Sequence, residues 1–260
     1  NQFNIHNQNQ SLSLTGNVSK NPKDSILVNL DNIDISNINF YLKSTGYELD
    51  GRLNGFAKIN DIYNNQTLFA DLGIRKFIVN KRAIGDIKFK SEWHNAEKRL
   101  SLNLNNSKND TLTFETKGDI FTETNKLDFK ININKVLLEH FSPLLAGVVS
   151  DLSGSINGNL KLTGTTKKPL LNGALNIENG ALTVDFMKVP YTINDQIVFK
   201  NSDIVINNLK ILDPKMHIAK VNGSIKTGYF GDFNLDLNIS PSNFLCISTT
   251  ERDNDLFYGT

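Results

Sequence analysis

Regular alternation of apolar and polar residues over residues 152–186 is the sequence feature that most constrains the fold. Apolar side chains recur at every second position from Ile156 to Leu162, stop at a turn-like stretch, residues 164–169, and resume at Leu175. Successive side chains of a β-strand point to opposite faces of its sheet, so this period of two predicts strands with one apolar and one polar face. An apolar face must be covered, and what covers it becomes the functional question.

Shorter alternating runs fill most of the remaining chain and are separated by clusters of Asn, Asp, Gly and Lys. Such clusters suit the tight turns of hairpins. No run is followed by the long amphipathic helix that a parallel sheet requires. One run changes its phase across Asn207-Asn208, which indicates a β-bulge. The chain is therefore predicted to be all-β, with a mostly antiparallel sheet.

Two stretches depart from this pattern. Apolar residues recur at helical spacing over residues 137–149, where Ser142-Pro143 is a plausible N-cap and first helical residue, so we expect a helix of one to three turns. A second short helix is expected at residues 38–42, with Ser36 as its cap. The longer helix is predicted either to plug or gate the space over the apolar face, or to be a structural element that covers an edge or end of the sheet.

An internal repeat relates two parts of the chain. The run LDGRLNGFAKIN at residues 49–60 matches LSGSINGNLKLT at residues 152–163, which pairs Gly55 with Gly158, and a third copy starts near Phe233. Repeats of this kind stack so that neighbours cover one another. We predict one continuous elongated domain made of three repeat segments: residues 1–130, residues 131–232 with the short helix near 137–149, and a truncated segment at 233–260.

Charge and composition narrow the class of protein. The 28 basic and 27 acidic residues give a formal net charge of +1, which provides no general attraction to nucleic acid or to an anionic membrane. The single cysteine, Cys246, cannot form an internal disulfide. No run of about 18 apolar residues is present, so no transmembrane helix is predicted. The sequence begins without methionine or a signal peptide, and we expect it to be a piece of a longer protein.

An ordered series of glycine- and leucine-containing motifs runs from residue 132 to the end of the chain. The motifs are G-x-I-x-G-x-L-x-L-x-G at Gly154–Gly164, Pro169–Leu175, Ile177–Leu182, Val189–Ile193, Leu212-Asp213-Pro214, Val221–Ile225 and Asn254–Gly259. In these motifs the chain resembles the C-terminal region of the TamB family, the translocation and assembly module subunits within the AsmA-like superfamily, and most of all the Bacteroidetes branch. Residues 1–130 carry a weaker form of the same design.

The resemblance implies that the sheet is long and curved and folds into a U-shaped hydrophobic groove, or β-taco. It implies a periplasmic location in a Gram-negative bacterium, within a protein anchored in the inner membrane. It also implies cooperation with an Omp85-type, TamA-like outer-membrane barrel through parts of the protein outside this sequence. Family members are implicated in outer-membrane biogenesis, with phospholipid transport as the favoured activity.

A set of alternating apolar residues is the candidate site, on the hypothesis that their side chains line an open trough that holds acyl chains. Burying a methylene group is worth about 0.8 kcal/mol, so a chain of roughly 16 carbons gains on the order of 12 kcal/mol before the costs of binding. The alternative is that the same side chains form the core of an ordinary sandwich, which has the same sequence pattern. The candidates are Leu127, Phe129, Ile131, Ile133, Ile156, Leu160, Leu162, Leu175, Ile177, Leu182, Val184, Phe186, Ile197, Phe199, Phe233, Leu235 and Leu237.

Catalytic, metal and cofactor sites are not predicted. No serine lies in a nucleophile-elbow context, no paired carboxylates are identified, and no glycine opens a phosphate-binding loop. Four histidines are scattered without metal-ligand spacing: His6, His94, His140 and His217. Three acidic residues near the end are predicted to form a solvated turn: Glu251, Asp253 and Asp255. We therefore expect a protein that is not an enzyme, needs no cofactor and does not bind nucleic acid.

Three functions remain open from the sequence. The first is a passive lipid conduit, in which phospholipid acyl chains slide along the apolar face. The second is a chaperone or scaffold that pairs its free sheet edges with nascent strands of outer-membrane barrels, by β-augmentation. The third is a structural spacer that binds neither lipid nor peptide. Exposed terminal strands also predict edge-to-edge self-association.

Overall fold

The structure is a computed structural model that describes residues 1–7, 9–63, 67–253 and 258–259. Within these residues the protein consists of sixteen β-strands and a few short helices, and the strands pair in antiparallel fashion. The predicted all-β, antiparallel fold class is confirmed. The chain forms two compact units, termed unit 1 and unit 2, which comprise residues 1–131 with 164–166 and residues 132–163 with 167–260.

In unit 1 each strand pairs with the next one along the chain. Two-residue turns join several of them, as at Asn109-Asp110, where both residues have positive φ, of 51° and 60°. Paired positive φ values match the right-handed twist of the flanking strands, and Asn and Asp tolerate them. The strands are β1 (Gln2–Asn7), β2 (Gln10–Gly16), β3 (Ser25–Asp34), β4 (Leu49–Asn60), β5 (Thr67–Val79), β6 (Arg82–His94), β7 (Arg99–Lys108), β8 (Thr111–Phe121) and the first part of β9 (Lys126–Leu137).

In unit 2 the hydrogen-bonded order is β10-β11-β12-β14-β15-β16, and the short β13 pairs with both β11 and β14. The strands are β10 (Val149–Thr165), β11 (Lys168–Val184), β12 (Val189–Ile193), β13 (Gln196–Lys200), β14 (Asp203–Leu212), β15 (Ile218–Lys226) and β16 (Asn234–Pro241). Residues 254–257, which hold most of the predicted Asn254–Gly259 motif and Asp255 of the acidic set, lie outside the described residues.

The helix predicted at residues 38–42 is longer than expected and has a different cap. It consists of a 3₁₀ turn at Ile35–Ile38, an α-helical turn (α1) at Asn39–Leu42 and a second 3₁₀ turn at Lys43–Thr45. The prediction of Ser36 as the cap is wrong, because the carboxylate of Asp34 accepts hydrogen bonds from Ser36 N at 2.9 Å and from its hydroxyl at 2.6 Å. These two hydrogen bonds are the leading reason that the pKa of Asp34 lies below its usual value.

The helix predicted at residues 137–149 lies in the expected range, as a 3₁₀ helix at Leu138–Leu145. The Ser142-Pro143 start is wrong, because Leu137 keeps extended backbone angles as the last residue of β9 and the helix begins directly after it. Pro143 therefore lies inside the helix. A further 3₁₀ turn at Gly228–Phe230, which the sequence did not indicate, follows β15 and is capped by the hydroxyl of Thr227. No helix in the described part of the chain is long and apolar enough to cross a membrane.

Positions paired by the sequence repeat have the same backbone role. Gly55 in β4 and Gly158 in β10 have φ of +124° and +148°. A β-carbon at either would lie 2.1 or 2.2 Å from a carbonyl oxygen of the following strand, that of Asp71 or of Ala174. Only glycine combines this backbone angle with so close an approach. The predicted bulge is confirmed as well, since the β14–β15 register shifts between Ile206 and Leu209.

Fully buried apolar side chains are concentrated in unit 2. Its cluster of Ile206, Leu209 and Val221 has exposed fractions of 6–8%. Six half-buried residues pack around this cluster: Ile193, Ile197, Ile204, Ile211, Ile225 and Leu237. Leu209 lies directly opposite Val221 on the neighbouring strand. The bulge after Ile206 returns the apolar residues of β14 to one face, so the core of this unit depends on the bulge.

Candidate functional site

One face of unit 1 is apolar across β1–β8. Residues that lie opposite each other in an antiparallel pair project from the same face, and Phe89 connects three strands in this way, since it lies opposite both Leu72 and Leu104. Extending these pairs gives one continuous set: Phe3, Ile5, Leu12, Leu14, Ile26, Val28, Leu30, Ile33, Leu53, Ala57, Ile59, Leu68, Ala70, Leu72, Ile74, Ile87, Phe89, Trp93, Leu100, Leu102, Leu104, Phe114 and Ile120.

Unit 2 has an apolar face of the same kind. Cross-strand pairs such as Leu182–Tyr191 and Ile193–Ile211 carry it from β11 through β12 to β14. The face includes Leu175, Ile177, Leu182, Val184, Val189, Tyr191, Ile193, Ile197, Phe199, Ile204, Ile206, Leu209, Ile211, Ala219, Val221, Ile225, Leu235, Leu237 and Ile239. Asn179 and Asn208 have positive φ at the points where the alternation of apolar and polar residues shifts by one position. These shifts keep the apolar residues on one side of the sheet.

The opposite face is polar and carries ion pairs and hydrogen bonds. On β7 and β8 the guanidinium of Arg99 lies 2.7 Å from the carboxylate of Asp119, which also accepts a hydrogen bond from the hydroxyl of Ser101 at 2.6 Å. Partial burial alone would raise the pKa of Asp119, but these two partners outweigh it and lower the pKa. The Lys90–Asp71 pair, at 2.8 Å, is largely exposed. Exposed pairs of this kind contribute about 0–1 kcal/mol, so they mark the solvated side of the sheet.

The apolar faces of the two units differ in how well they are covered. On the unit 1 face, Ala70 is buried, with 2% of its surface exposed, whereas most of the larger side chains are half-buried. On the unit 2 face, Val189 and Ala219 are completely buried and Tyr191 is 6% exposed. Lateral neighbours alone leave side chains half-buried, and a second layer is what buries a sandwich core completely. The unit 1 face therefore presents apolar surface that a ligand can still cover.

The candidate residues differ in exposure. Four are buried: Phe129, Ile156, Leu160 and Leu175. Ten are half-buried: Leu127, Ile131, Ile133, Leu162, Ile177, Leu182, Val184, Ile197, Phe199 and Leu237. Three are exposed: Phe186, Phe233 and Leu235. Phe186 lies in the turn after β11 and Phe233 immediately precedes β16, so neither belongs to a strand. Their assignment to a lipid site stays a prediction.

Sequence reasoning missed most of the apolar face, including all of its part on β1–β8. The signal was present, because alternating runs such as Leu100-Leu102-Leu104 predict strands with an apolar side. The candidate set nevertheless begins at Leu127, where the family motifs become clear. In unit 2 the set omits Val189, Tyr191 and the whole of β14, which the register places beside the chosen residues.

Part of the unit 2 face is covered by a later segment of the same chain. Residues 243–249, termed the return segment, follow β16 and fold back against β12. The ring of Phe244 stacks on the ring of Tyr191, with centroids 5.1 Å apart and an interplanar angle of 8°. The hydroxyl of Tyr191 donates a hydrogen bond to Leu245 O at 3.0 Å, and Ser248 N donates to Met187 O at 2.9 Å. Burial is the main cause of the raised pKa of Tyr191.

A buried carboxylate anchors the return segment. Asp213 follows β14, and its Oδ2 accepts a hydrogen bond from Leu245 N at 2.9 Å and lies 3.0 Å from Nδ1 of His217. Its Oδ1 accepts from the backbone N–H groups of Lys215 and His217, at 2.8 and 2.9 Å. Burial by itself would raise the pKa of Asp213, but these hydrogen bonds outweigh it and lower the pKa to about 2.

We predict that the Asp213 anchor stabilises unit 2 down to acidic pH. A carboxyl group whose pKa is lowered by folding contributes its full stability above its unfolded pKa, near 3.8, and loses it as the pH falls toward 2. The two carboxylate oxygens of Asp213 accept four hydrogen bonds. Asp213→Asn keeps one of these oxygens and replaces the other with an NH₂ group, which cannot accept them. The variant is therefore expected to melt at a lower temperature than the wild type at pH 7, with the difference shrinking between pH 4 and pH 2.

Thermal unfolding at a series of pH values checks this prediction. Asp236→Asn is the matched control, because it makes the same chemical change at an exposed position in β16. It should melt like the wild type throughout the range. A melting temperature of Asp213→Asn equal to that of the wild type at pH 7 would show that the carboxylate does not hold the segment.

One concave site lies away from the apolar faces. A cavity of about 520 Å³ beside α1 is lined by Phe40, Lys43, Tyr47, Glu48 and Lys81, among others, and so mixes both signs of charge. In the part of the chain that the structure describes, no three His, Cys, Asp or Glu side chains are grouped so that they could hold a metal ion. The distinguishing surface of the molecule is therefore its apolar sheet face.

Comparison with known families decides the affiliation of this β-sheet protein. A model of the TamB N-terminal domain matches residues 4–177, which is more than half of the chain. The chain belongs to the TamB family. The TamB affiliation predicted from the motifs is thus confirmed, and the Bacteroidetes branch stays a prediction. No curated protein and no solved structure matches the chain.

The region of TamB that matches the chain differs from the region that the sequence motifs suggested. The motifs suggested the C-terminal region and residues 132–260, whereas the matching TamB model describes the N-terminal domain and begins at residue 4. Gly55 and Gly158 have equivalent backbone conformations, which gives a physical reason why motifs of one region resemble those of another. A TamB-type strand design that repeats along the chain produces similar motifs in each copy, so such motifs identify the family better than the region.

Proposed function

We propose that this TamB-family chain is a non-enzymatic, periplasmic segment that carries phospholipid acyl chains along the apolar face of its sheet, between the inner and outer membranes, in support of outer-membrane biogenesis. The observation that carries the proposal is the continuous apolar face of β1–β8, on which most of the larger side chains are half-buried. Membership of the TamB family supports the location and the partners, which are phospholipid and an Omp85-type barrel engaged by parts of the protein outside this sequence.

The mechanism is passive and needs no catalytic residue or cofactor. Acyl chains lie against the apolar side chains, while headgroups stay in water. Each buried methylene contributes about 0.8 kcal/mol. Because neighbouring strands present similar apolar side chains, a lipid that moves from one strand to the next keeps nearly the same buried area. A surface of uniform affinity has no deep minimum, so lipid moves along it without a trap.

A charge on the apolar face is expected to weaken lipid binding strongly. Leu104 is half-buried in the middle of the unit 1 face, between Phe89 and Thr116. Leu104→Asp places a carboxylate where an acyl chain would lie, and an unpaired charge in an apolar contact is strongly unfavourable. We expect at least a tenfold loss of affinity for a fluorescent fatty acid, measured by titration at pH 7.

Asn105→Asp is the matched control for this experiment. It adds the same charge at the next residue of the same strand, on the polar face. Asn105→Asp should bind the fatty acid like the wild type, and circular dichroism should show that both variants are folded. Equal binding by the wild type and by folded Leu104→Asp would refute the assignment of the lipid to this face.

A free sheet edge favours the scaffold function as the second candidate. Among the described residues β1 pairs with β2 alone, and its sequence, Gln2–Asn7, contains no charged residue and no proline. Natural edge strands usually carry such residues because they prevent pairing with other chains. A scaffold would bind an unfolded barrel peptide at this edge, so peptide binding that Leu104→Asp leaves intact would favour β-augmentation over lipid transport.

A further inference from the structure

The return segment covers a defined strip of the unit 2 apolar face. Phe244 lies over Tyr191, whose side chain shares this face with Val189 on the same strand and with Leu182 on β11. Val189 and Tyr191 are almost completely buried, whereas Leu182 and Val184 on the neighbouring strand are half-buried. Around Tyr191, burial is therefore greatest on β12, the strand against which the return segment packs.

The contacts of the return segment resemble those that a ligand would make. Phe244 and Leu245 are half-buried apolar residues in a segment that lacks regular secondary structure. Besides the ring stack, a few hydrogen bonds attach the segment, to Tyr191, Met187 and Asp213. Water can replace the two neutral hydrogen bonds at a cost of about 1 kcal/mol each, and the hydrogen bond to the Asp213 carboxylate at a cost of about 1.5–3 kcal/mol. The apolar contact can be replaced only by another apolar group.

We propose that the return segment is a displaceable plug over an acyl-chain site formed by Leu182, Val184, Val189, Tyr191 and Ile193. This inference rests on the proposed lipid-binding function and adds a site and its control. In the absence of lipid, Phe244 and Leu245 occupy the strip. An acyl chain that reaches the strip covers the same side chains, and the return segment moves into solvent. The plug lowers the affinity of this strip relative to the uncovered face.

The single cysteine of the chain provides a local probe of this exchange. Cys246 lies within the return segment and is exposed, so a nitroxide spin label can be attached to it without a further mutation. Electron paramagnetic resonance then reports the mobility of the return segment in the full chain. We expect that palmitate, added below its critical micelle concentration, increases the mobile fraction of the label at least threefold.

Phe244→Ala removes the ring stack and is expected to raise the mobile fraction of the Cys246 label before palmitate is added. It is also expected to lower, at least threefold, the palmitate concentration at which half of the label is released. Phe230→Ala is the control, since Phe230 is a partly exposed phenylalanine of the same unit outside the return segment. It should behave like the wild type.

The outcomes separate this inference from the proposed function. If palmitate binds to the wild type and Leu104→Asp weakens that binding, but the Cys246 label stays immobile at saturation, the plug is refuted and lipid binding stands. The plug is also refuted if Phe244→Ala and the wild type release the label at the same palmitate concentration. If neither the wild type nor Phe244→Ala binds palmitate, both the plug and the lipid-binding function are refuted.

Discussion

Replacing Leu209 with alanine is expected to lower the free energy of unfolding by about 3 kcal/mol. Leu209 is 6% exposed and lies opposite Val221 in a cluster of buried residues in unit 2. Removing a buried leucine side chain costs 2–5 kcal/mol, because apolar contacts are lost and a cavity remains. A value in the middle of this range is expected, since half-buried residues around the cluster can move partly into the space.

Chemical denaturation of the wild type and of Leu209→Ala measures this difference. Leu235→Ala is the matched control, because Leu235 is on the same face in β16 but is 67% exposed. It should change the free energy of unfolding by less than about 0.5 kcal/mol, as surface substitutions usually do. Similar losses for both variants would mean that the core is not centred on β14 and β15.

Gly55→Ala is expected to have an effect of comparable size through the backbone. The φ of Gly55 is +124°, and an added β-carbon would lie 2.1 Å from the carbonyl oxygen of Asp71. Backbone conformations that only glycine adopts easily cost other residues about 1–3 kcal/mol, and the clash must also push β4 and β5 apart. We expect a loss of about 3 kcal/mol, measured by denaturation, and a similar loss for Gly158→Ala.

Gly73→Ala provides the comparison within the same pair of strands. Gly73 lies opposite Asn54, next to Gly55, but its φ is not in the left-handed region and an added β-carbon comes no closer than 3.6 Å to its nearest neighbour, Ile87 O. The substitution should therefore be tolerated, with a change of less than about 1 kcal/mol. An equal loss for Gly55→Ala and Gly73→Ala would show that the backbone geometry shared by Gly55 and Gly158 is not what requires glycine.

The local pattern of the sequence predicted the strands well. A period of two is a property of each strand alone, so the runs around Ile156 and Leu175 could be identified without knowledge of their neighbours. The bulge at Asn207-Asn208 was visible for the same reason. Helix starts were predicted less well: Leu137 continues its strand and Asp34 replaces Ser36 as a cap, because both depend on where the preceding strand ends.

Contacts between distant residues could not be predicted from the pattern. The stack of Phe244 on Tyr191 and the hydrogen bond from Leu245 N to Asp213 join residues more than 30 positions apart. No periodicity records which segment returns to which strand. Nor does alternation distinguish an open face from a sandwich core, since both have apolar residues at every second position. The exposed fractions show that most of the larger side chains on the unit 1 face are half-buried.

Native mass spectrometry of the purified chain, combined with lipid extraction from the same sample, tests the central claim most directly. The account predicts that phospholipid copurifies with the wild type and with Asn105→Asp, and that it is lost from Leu104→Asp while this variant stays folded. A folded wild-type protein that carries no phospholipid and takes up none from added vesicles would contradict the proposal that the apolar face is a path for lipid.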